Sequence, residues 1–297
     1  MANAATPVTP FPELVASFFT LSGGGFVEPP RNTYIARCEA AAAAGFAGIG
    51  LHWEDLPRTV AAGVDVSEMQ AVLRNNGLKL VELEFLAGWA FGDSGSGGIS
   101  PQLAAIEAVF DALGGRQVSA GEFSGDRALD TEEALDRAAK ALRANADRLA
   151  ERGLLVALES FPWSAVQNVD IAKDLVRRAA APNVGLLIDV WHFYNGGGTT
   201  GDLADLPAPG ITGFQLNDGP LVDQDFQLHA RAQRQLPGEG DLDVVDLIKA
   251  VRDSGFTGPY CVESNTPEFR ALPVKEAAQR AGDAARNVLR AAGLGAG

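Results

Sequence analysis

Acidic and amide side chains stand near the ends of successive apolar runs in the second half of the chain. Glu159 closes the run LLVALES, Asp189 lies in GLLIDVWHF, Gln215 in ITGFQLND and Glu263 in YCVES. Oxygen atoms of such side chains are the ligands that Mg²⁺ and Mn²⁺ prefer, whereas zinc favours nitrogen and sulfur. If the runs are neighbouring strands, the pattern favours one divalent metal ion, Mn²⁺ or Mg²⁺, held by these side chains.

Each of these side chains also has a structural explanation when it is considered alone. A carboxylate at the end of a strand often caps the next helix or pairs with a basic neighbour. Their recurrence on consecutive runs is harder to explain in that way, because neighbouring strands lie about 4.8 Å apart and bring such residues to one point. Carboxylates that close together repel one another, and a divalent cation would supply the opposite charge.

The elements that would position these residues alternate between apolar runs and helical stretches. Candidate strands cover 14–21, 48–53, 78–86, 117–123, 154–161, 184–193, 211–218 and 259–265. Only the segment after the sixth run, at 202–206, is weak as a helix. This alternation predicts a parallel sheet closed into a single (β/α)8 TIM barrel over residues 13–297, preceded by a flexible tail at 1–12.

An open doubly wound sheet is the rival fold, and it would place a glycine-rich phosphate loop directly before a helix. The glycine-rich stretch at 22–25 runs into Pro29 and Pro30 instead, so a nucleotide site is disfavoured.

Composition and charge restrict the function further. The chain has 297 residues, of which 46% are hydrophobic, and this is enough for a large core. The 24 basic residues against 38 acidic ones give a net charge of −14, which disfavours a nucleic acid partner. No apolar run approaches the roughly 20 residues of a membrane span, and no signal-peptide pattern opens the chain. We therefore expect a cytoplasmic protein, with no membrane partner and with Cys38 and Cys261 reduced.

The motifs around the candidate ligands resemble the xylose isomerase-like TIM-barrel family, a group of sugar isomerases and epimerases that also includes dehydratases. The resemblance covers residues 14–289, and its most specific parts are VALES, IDVWH, RQLPGEGDLD and GPYCVES. It implies that Glu159, Asp189 and Glu263 are metal ligands. The fourth ligand would be Gln215, at a position where His is more usual.

The resemblance implies a metal-dependent isomerase or epimerase that acts on a sugar or a related polyhydroxy-carbonyl compound. A proton would leave the carbon beside a carbonyl, giving an enediolate stabilised by the metal, and would return elsewhere. Glu159 and Glu263 are our candidates for exchanging the proton, and His192 for contacting a substrate oxygen or acting as acid. The alternative is a metal-dependent dehydratase of the 3-dehydroshikimate or inosose dehydratase type.

Family members with glutamine at the position of Gln215 include enzymes resembling hydroxypyruvate isomerase and 3-dehydroshikimate dehydratase, and both act on substrates that carry a carboxylate. Arg231 and Arg234, in the segment HARAQRQLPGEG, are candidates for holding such a group, because a guanidinium binds a carboxylate through two hydrogen bonds. They are equally suited to pairing with Glu239 or Asp241. The expected partner is therefore a small sugar-like or keto-acid molecule.

Further candidates for substrate contacts follow other runs. His52 ends the second run, where it either points into the pocket or is a structural histidine. Trp191 is expected to wall an apolar mouth, unless it belongs to the core. Of Glu82 and Glu84, on the third run, we expect one to face the pocket.

Other function classes fit the sequence less well. Apurinic endonucleases share this barrel, but their zinc clusters need several histidines and the chain has only 3. A non-catalytic binding barrel would lack a ligand, whereas all the candidate ligands are present. The chain leaves the oligomeric state open, and a homo-oligomer formed through the loops is compatible with it.

Overall fold

The computed structural model describes residues 11–26, 28–91, 99–123 and 128–295. Parallel strands close into a barrel in which β1 to β8 follow one another in chain order and β1 pairs with β8. Helices lie between successive strands, so the predicted single (β/α)8 TIM barrel is confirmed. Most of the tail predicted at 1–12 lies outside the described residues.

The strands are shorter than the apolar runs that predict them. They are β1 Leu14–Ala16, β2 Gly48–His52, β3 Lys79–Leu86, β4 Gln117–Ala120, β5 Leu155–Glu159, β6 Val184–Asp189, β7 Ile211–Leu216 and β8 Tyr260–Val262. The helices are α1 Phe18–Ser22, α2 Tyr34–Ala43, α3 Asp55–Ala61, α4 Val66–Asn75, α5 Leu103–Leu113, α6 Glu132–Ala150, α7 Val169–Ala179, α8 Val190–Asn195, α9 Phe226–Ala232, α10 Val244–Asp253, α11 Pro267–Arg270 and α12 Val274–Ala291. The weak segment after β6 forms a 3₁₀ helix, Thr200–Leu203.

Two runs end early because a polar side chain starts a helix inside them. The side chain of Ser17 accepts the backbone N–H of Thr20, so α1 begins directly after β1. Asp189 likewise accepts the N–H of His192, so the sixth run turns into α8. Side chains that satisfy the free N–H groups of a first turn fix where a helix begins.

The helices cover the barrel with apolar faces. On α6, which Thr131 caps, Ala138, Leu142, Ala146 and Leu149 recur every three or four residues and are buried. The strands are almost entirely buried, as expected for a parallel sheet covered by helices. No helix in the described ranges is long and apolar enough to cross a membrane, and Cys38 and Cys261 are free and buried.

A buried ion pair fixes the rim of the barrel after β2. Arg37 of α2 donates to both carboxylate oxygens of Asp55, at 2.9 and 3.0 Å, and both side chains are at most 2% exposed. The same guanidinium lies over the ring of Phe18, 5.1 Å from its centroid. Phe18 in turn contacts His52 at the end of β2. The pair therefore connects three helices beside the C-terminal end of the barrel.

We expect Asp55→Asn to lower the free energy of unfolding by about 3–5 kcal/mol, because it leaves the Arg37 charge buried without a counter-charge. The control is Asp147→Asn, which removes a pair between Asp147 and Arg143 whose side chains are 54% and 44% exposed. The free energy of unfolding of this control variant should fall by less than about 1 kcal/mol. Urea unfolding followed by circular dichroism measures both, and equal losses would contradict the prediction.

Candidate metal centre and active site

The C-terminal end of the barrel carries the predicted metal ligands, and one ligand atom from each of Glu159, Asp189 and His192 lies within 4.8 Å of the others. Glu159 ends β5, Asp189 ends β6, Gln215 lies near the end of β7 and Glu263 follows β8 directly. Their side chains are at most 2% exposed. Asp189 and Gln215 are partners in the register of β6 and β7. Since parallel strands present the same end to one edge, these residues share the buried floor of the barrel mouth.

Arg234, which follows α9, connects two of these carboxylates, Asp189 and Glu263. Its Nη1 donates to Oδ2 of Asp189 at 3.0 Å, and its Nη2 donates to Oε1 of Glu263 at 2.5 Å. The side chain is 1% exposed, and the guanidinium lies 5.1 Å from the ring centroid of Phe26. Arg234 is therefore held rigidly at the floor of the site.

The two arginines that the sequence analysis considers together occupy different places. Arg234 pairs with the candidate metal ligands rather than with Glu239 or Asp241, and Glu239 lies 3.6 Å from Arg280 instead. Arg231 is exposed and lines the mouth of the cavity. The structure thus separates a buried arginine at the floor from an exposed one at the rim.

Several oxygen atoms at the floor are buried and lack a hydrogen-bond partner within the described residues. They are Oε2 of Glu159, Oε1 of Gln215 and Oε2 of Glu263. Buried polar atoms are nearly always paired, so unpaired oxygens at one place indicate a missing partner. An all-oxygen donor set that includes carboxylates fits a hard divalent cation such as Mg²⁺ or Mn²⁺.

Two further carboxylates of β3 reach the same floor. The prediction that one of Glu82 and Glu84 faces the pocket is wrong, because residues two apart on a strand share a face and both point inward. One oxygen from each of Glu82, Glu84 and Glu263 lies within 4.8 Å of the others. Glu82 accepts a hydrogen bond from Nε2 of Gln215 at 3.1 Å, which leaves the amide oxygen of Gln215 free.

Burial raises the pKa of the glutamates at the floor, because the charged forms lose their hydration there. The pKa of Glu159 lies well above its usual range through burial and repulsion from Asp189. The pKa of Glu84 is raised well above its usual range by burial and by Glu263. Burial raises the pKa of Glu263 to about 7, with Arg234 acting in the opposite direction. A divalent cation would restore the charged forms.

His192 is held as a neutral imidazole. Its Nε2 lies 3.3 Å from Nη1 of Arg234, and since a guanidinium only donates, Nε2 must accept. The proton of the ring therefore sits on Nδ1, which is buried without a partner in the described structure. Burial lowers the pKa of His192 to about 3. His192 can thus donate a hydrogen bond from Nδ1, but it is not a cationic acid near neutral pH.

Two residues that the sequence analysis missed organise the site. The side chain of Asn217 donates to Oδ2 of Asp189 at 2.6 Å and accepts from the N–H of Trp191 at 2.8 Å. The carboxylate of Asp218 accepts the N–H groups of Gly219, Gly238 and Leu242, all within 3.0 Å. The signal for both was their place two and three residues after Gln215 in the run ITGFQLND.

The contacts of Asp218 explain the PGEG segment that follows Arg234. A side chain at Gly240 would place its Cβ 2.3 Å from the backbone nitrogen of Gly219, so only glycine fits. The backbones of Asp218 and Gln235 also pair in both directions. The turn is thereby fixed against the end of β7, and this fixes Arg234 beside Asp189.

A cavity of about 280 Å³ opens above the floor. Glu263, Arg234 and His192 line its base, while His52 and Arg231 line its sides and mouth. The Nδ1 atom of His52 also accepts the N–H of Glu54 at 3.3 Å, so His52 combines a structural contact with a place on the wall.

The expectation that Trp191 walls the mouth is wrong. Trp191 is fully buried, lies behind His192 with its ring 5.4 Å away, and is absent from the residues that line the cavity. The reason is that α8 begins at Val190 and turns Trp191 into the core while His192 faces the cavity.

Parts of the chain are similar in sequence to a dehydratase and to an isomerase. It is 37% identical to a 3-dehydroshikimate dehydratase of Pseudomonas aeruginosa over 135 residues, which are 45% of this chain and 21% of that protein. It is 28% identical to an inosose isomerase of Bacillus velezensis over 172 residues, 55% of this chain and 59% of that protein. The matches thus span only part of the length of either relative.

A solved structure described as the IOLI protein with a binding zinc atom has the same fold. It superimposes with a TM-score of 0.83 at 21% identity, over 94% of this chain and 98% of that one. The family model described as the xylose isomerase-like TIM barrel matches residues 38–291 of the 297. The chain therefore belongs to the xylose isomerase-like TIM-barrel family.

Proposed function

We propose that this protein is a divalent metal-dependent isomerase or epimerase of a polyhydroxy-carbonyl compound. The observation that carries the proposal is that Glu159, Gln215 and Glu263, at the C-terminal ends of neighbouring strands, each have a buried oxygen without a partner in the described structure, and that Glu263 lines an open cavity. The names of the relatives, a dehydratase and an isomerase, support an enzyme of this family.

Glu159, Asp189, Gln215 and Glu263 would hold the ion. A bound divalent cation would withdraw electron density from the carbonyl and hydroxyl oxygens of a substrate and so acidify the C–H bond between them. The all-oxygen set favours Mn²⁺ or Mg²⁺, although a solved neighbour is described with zinc. Metal analysis of the purified protein, followed by reloading with each ion in turn, decides between them.

The carboxylates at the floor would carry out the proton transfer. Glu263 lines the cavity, and Glu159 lies beside His192, with 3.7 Å between its Oε1 and Nε2. A carboxylate in its charged form can remove the proton beside the carbonyl, leaving an enediolate of the substrate. Return of the proton to the neighbouring carbon isomerises the substrate, and its return to the opposite face epimerises it.

The remaining polar groups orient the substrate. His192 lines the cavity, and its Nδ1–H, which has no partner in the described structure, would donate to a substrate oxygen. Arg234 keeps Asp189 and Glu263 in place through its two hydrogen bonds. Arg231 stands at the mouth and is suited to an anionic group of the substrate.

Proton exchange in D₂O tests the function directly. We expect the Mn²⁺-loaded protein to incorporate deuterium beside the carbonyl of at least one member of a panel of ketoses, keto acids and keto-cyclitols, as followed by NMR. Glu263→Gln should slow this exchange by at least about 100-fold, the scale of a positioned base. The exposed Glu151 provides the matched control, Glu151→Gln. Exchange at the wild-type rate in the Glu263→Gln variant would show that Glu263 is not the base that removes the proton.

A metal-dependent dehydratase is the second candidate, favoured by the 37% identity to a 3-dehydroshikimate dehydratase. It begins with the same proton removal but then expels a hydroxyl group from the next carbon. In the same assay it would give a product lighter by one water, with the ultraviolet absorbance of a conjugated enone. An isomerase gives a product of unchanged mass.

We expect Glu159→Gln to weaken Mn²⁺ binding by more than about 100-fold, beyond the effect typical of groups that only orient a ligand. The melting temperature of the metal-free protein should not fall, because the amide removes a buried carboxyl with a raised pKa. Isothermal titration calorimetry with Mn²⁺ measures the affinity, with Glu151→Gln again as control. Unchanged affinity would exclude Glu159 as a ligand.

Mn²⁺ binding should weaken as the pH falls. The pKa of Glu263 is raised from 4.5 to about 7, so the metal-free protein keeps a proton there that binding must displace. Displacing it weakens binding on the order of 30-fold at pH 5.5 relative to pH 8.

The raised pKa of Glu263 also affects the stability of the metal-free protein. Between pH 4.5 and 7 the folded protein binds more protons at this group than the unfolded chain does, so the contribution of Glu263 to the free energy of unfolding decreases as the pH rises.

Calorimetry in two buffers of different ionisation enthalpy counts the protons released. We expect at least one near pH 6 and fewer at pH 8. An affinity that does not change between pH 5.5 and 8 would contradict the assignment of Glu263.

A further inference from the structure

Aromatic rings form the wall of the cavity above the polar floor. They come from the loops and strand ends around the mouth and comprise Phe19, Phe26, Phe85, Phe123, Phe161 and Trp163. Phe161 is buried, but Phe85 and Trp163 are half-buried and Phe123 is 39% exposed. These rings therefore contact one another and also line the open space of the cavity.

The rings meet at an angle, so they enclose the space from several sides. Phe85 and Phe123 are 5.6 Å apart at 82°, Phe123 and Phe161 are 4.9 Å apart at 58°, and Phe161 and Trp163 are 5.4 Å apart at 56°. A single flat ring would suit the apolar face of a sugar. A curved aromatic wall instead contacts both the face and the edges of a bound group.

Most polar groups of the described cavity lining lie at the floor and the rim, and the exceptions on the wall are the imidazole of His52 and the indole N–H of Trp163. His192, Arg234 and Glu263 form the floor, and Gln227 and Arg231 of α9 lie at the mouth. Between them, the described wall consists mainly of phenylalanine rings. A hydroxyl group buried against those rings would lose its water without gaining a hydrogen bond, which is unfavourable. A compound hydroxylated on every carbon therefore matches the floor but not the phenylalanine part of the wall.

We propose that the substrate is amphipathic: a hydroxy-carbonyl head at the floor bonded to an apolar ring that fills the aromatic wall. The volume of about 280 Å³ accommodates such a head together with roughly one six-membered ring. This inference rests on the proposed function for the head, whereas the subsite for the ring depends only on the wall.

A matched pair of hydroxamates tests the subsite. Acetohydroxamate and benzohydroxamate present the same metal-chelating head and differ by a methyl against a phenyl group. We expect benzohydroxamate to bind the Mn²⁺-loaded protein at least about tenfold more tightly, as burial of a phenyl ring predicts. Phe85→Ala and Phe123→Ala should reduce this ratio severalfold and leave the affinity for acetohydroxamate unchanged.

The control is Phe11→Ala, which makes the same substitution in a half-buried ring that does not line the cavity. Comparing the ratio between variants cancels the intrinsic difference in chelation between the two hydroxamates. A ratio that is equal in the wild type and in both cavity variants would overturn the proposal.

A second measurement separates this inference from the metal-dependent function. Saturation-transfer NMR compares benzyl alcohol and erythritol on metal-free protein. Benzyl alcohol should give transfer that Phe85→Ala weakens, and erythritol little or none. If hydroxamates fail to bind but benzyl alcohol binds, the metal proposal fails and the aromatic subsite stands. If neither benzyl alcohol nor benzohydroxamate responds to Phe85→Ala, the subsite is wrong.

Discussion

The closed barrel brings several carboxyl groups to one buried end, and the surrounding residues must compensate the charge that these groups carry when ionised. Glu82, Glu84, Glu159, Asp189 and Glu263 all reach the floor of the mouth with almost no exposure. Like charges in a medium of low polarity repel strongly and favour the protonated forms, as the raised pKa values of the glutamates indicate. One buried guanidinium, Arg234, offsets part of this charge, and a divalent cation is the simplest way to offset more.

The loop after β7 places that guanidinium. Asp218 collects backbone N–H groups from the PGEG turn, and the tight approach of Gly240 to Gly219 excludes any larger residue. Asn217 meanwhile binds Asp189 from the neighbouring position. Adjacent residues at the end of one strand thus fix both a candidate ligand and the loop that carries its counter-charge. Such fixation is what keeps a charged group oriented before a substrate arrives.

The fold and the places of the candidate ligands at strand ends could be predicted from the sequence because they depend on strand order. Glu159 ends its strand and Gln215 lies one residue before the end of its strand, and strand ends converge in any parallel barrel. Features that depend on where a helix begins were harder to predict. Asp189 starts α8, and this places Trp191 in the core. The pairing of Arg234 with Asp189 and Glu263 joins residues far apart in the chain, and only the folded loop reveals it.

The aromatic wall and the charged floor act on each other. Apolar rings next to the carboxylates exclude water, which strengthens every electrostatic interaction at the floor, including the attraction for a cation. The same exclusion holds His192 neutral, with its pKa lowered to about 3, so that it can donate to a substrate oxygen without adding charge. A ring bound against the wall would complete the exclusion of water at the moment when charge develops on the substrate. Substrate recognition and stabilisation of that charge would then depend on the same side chains.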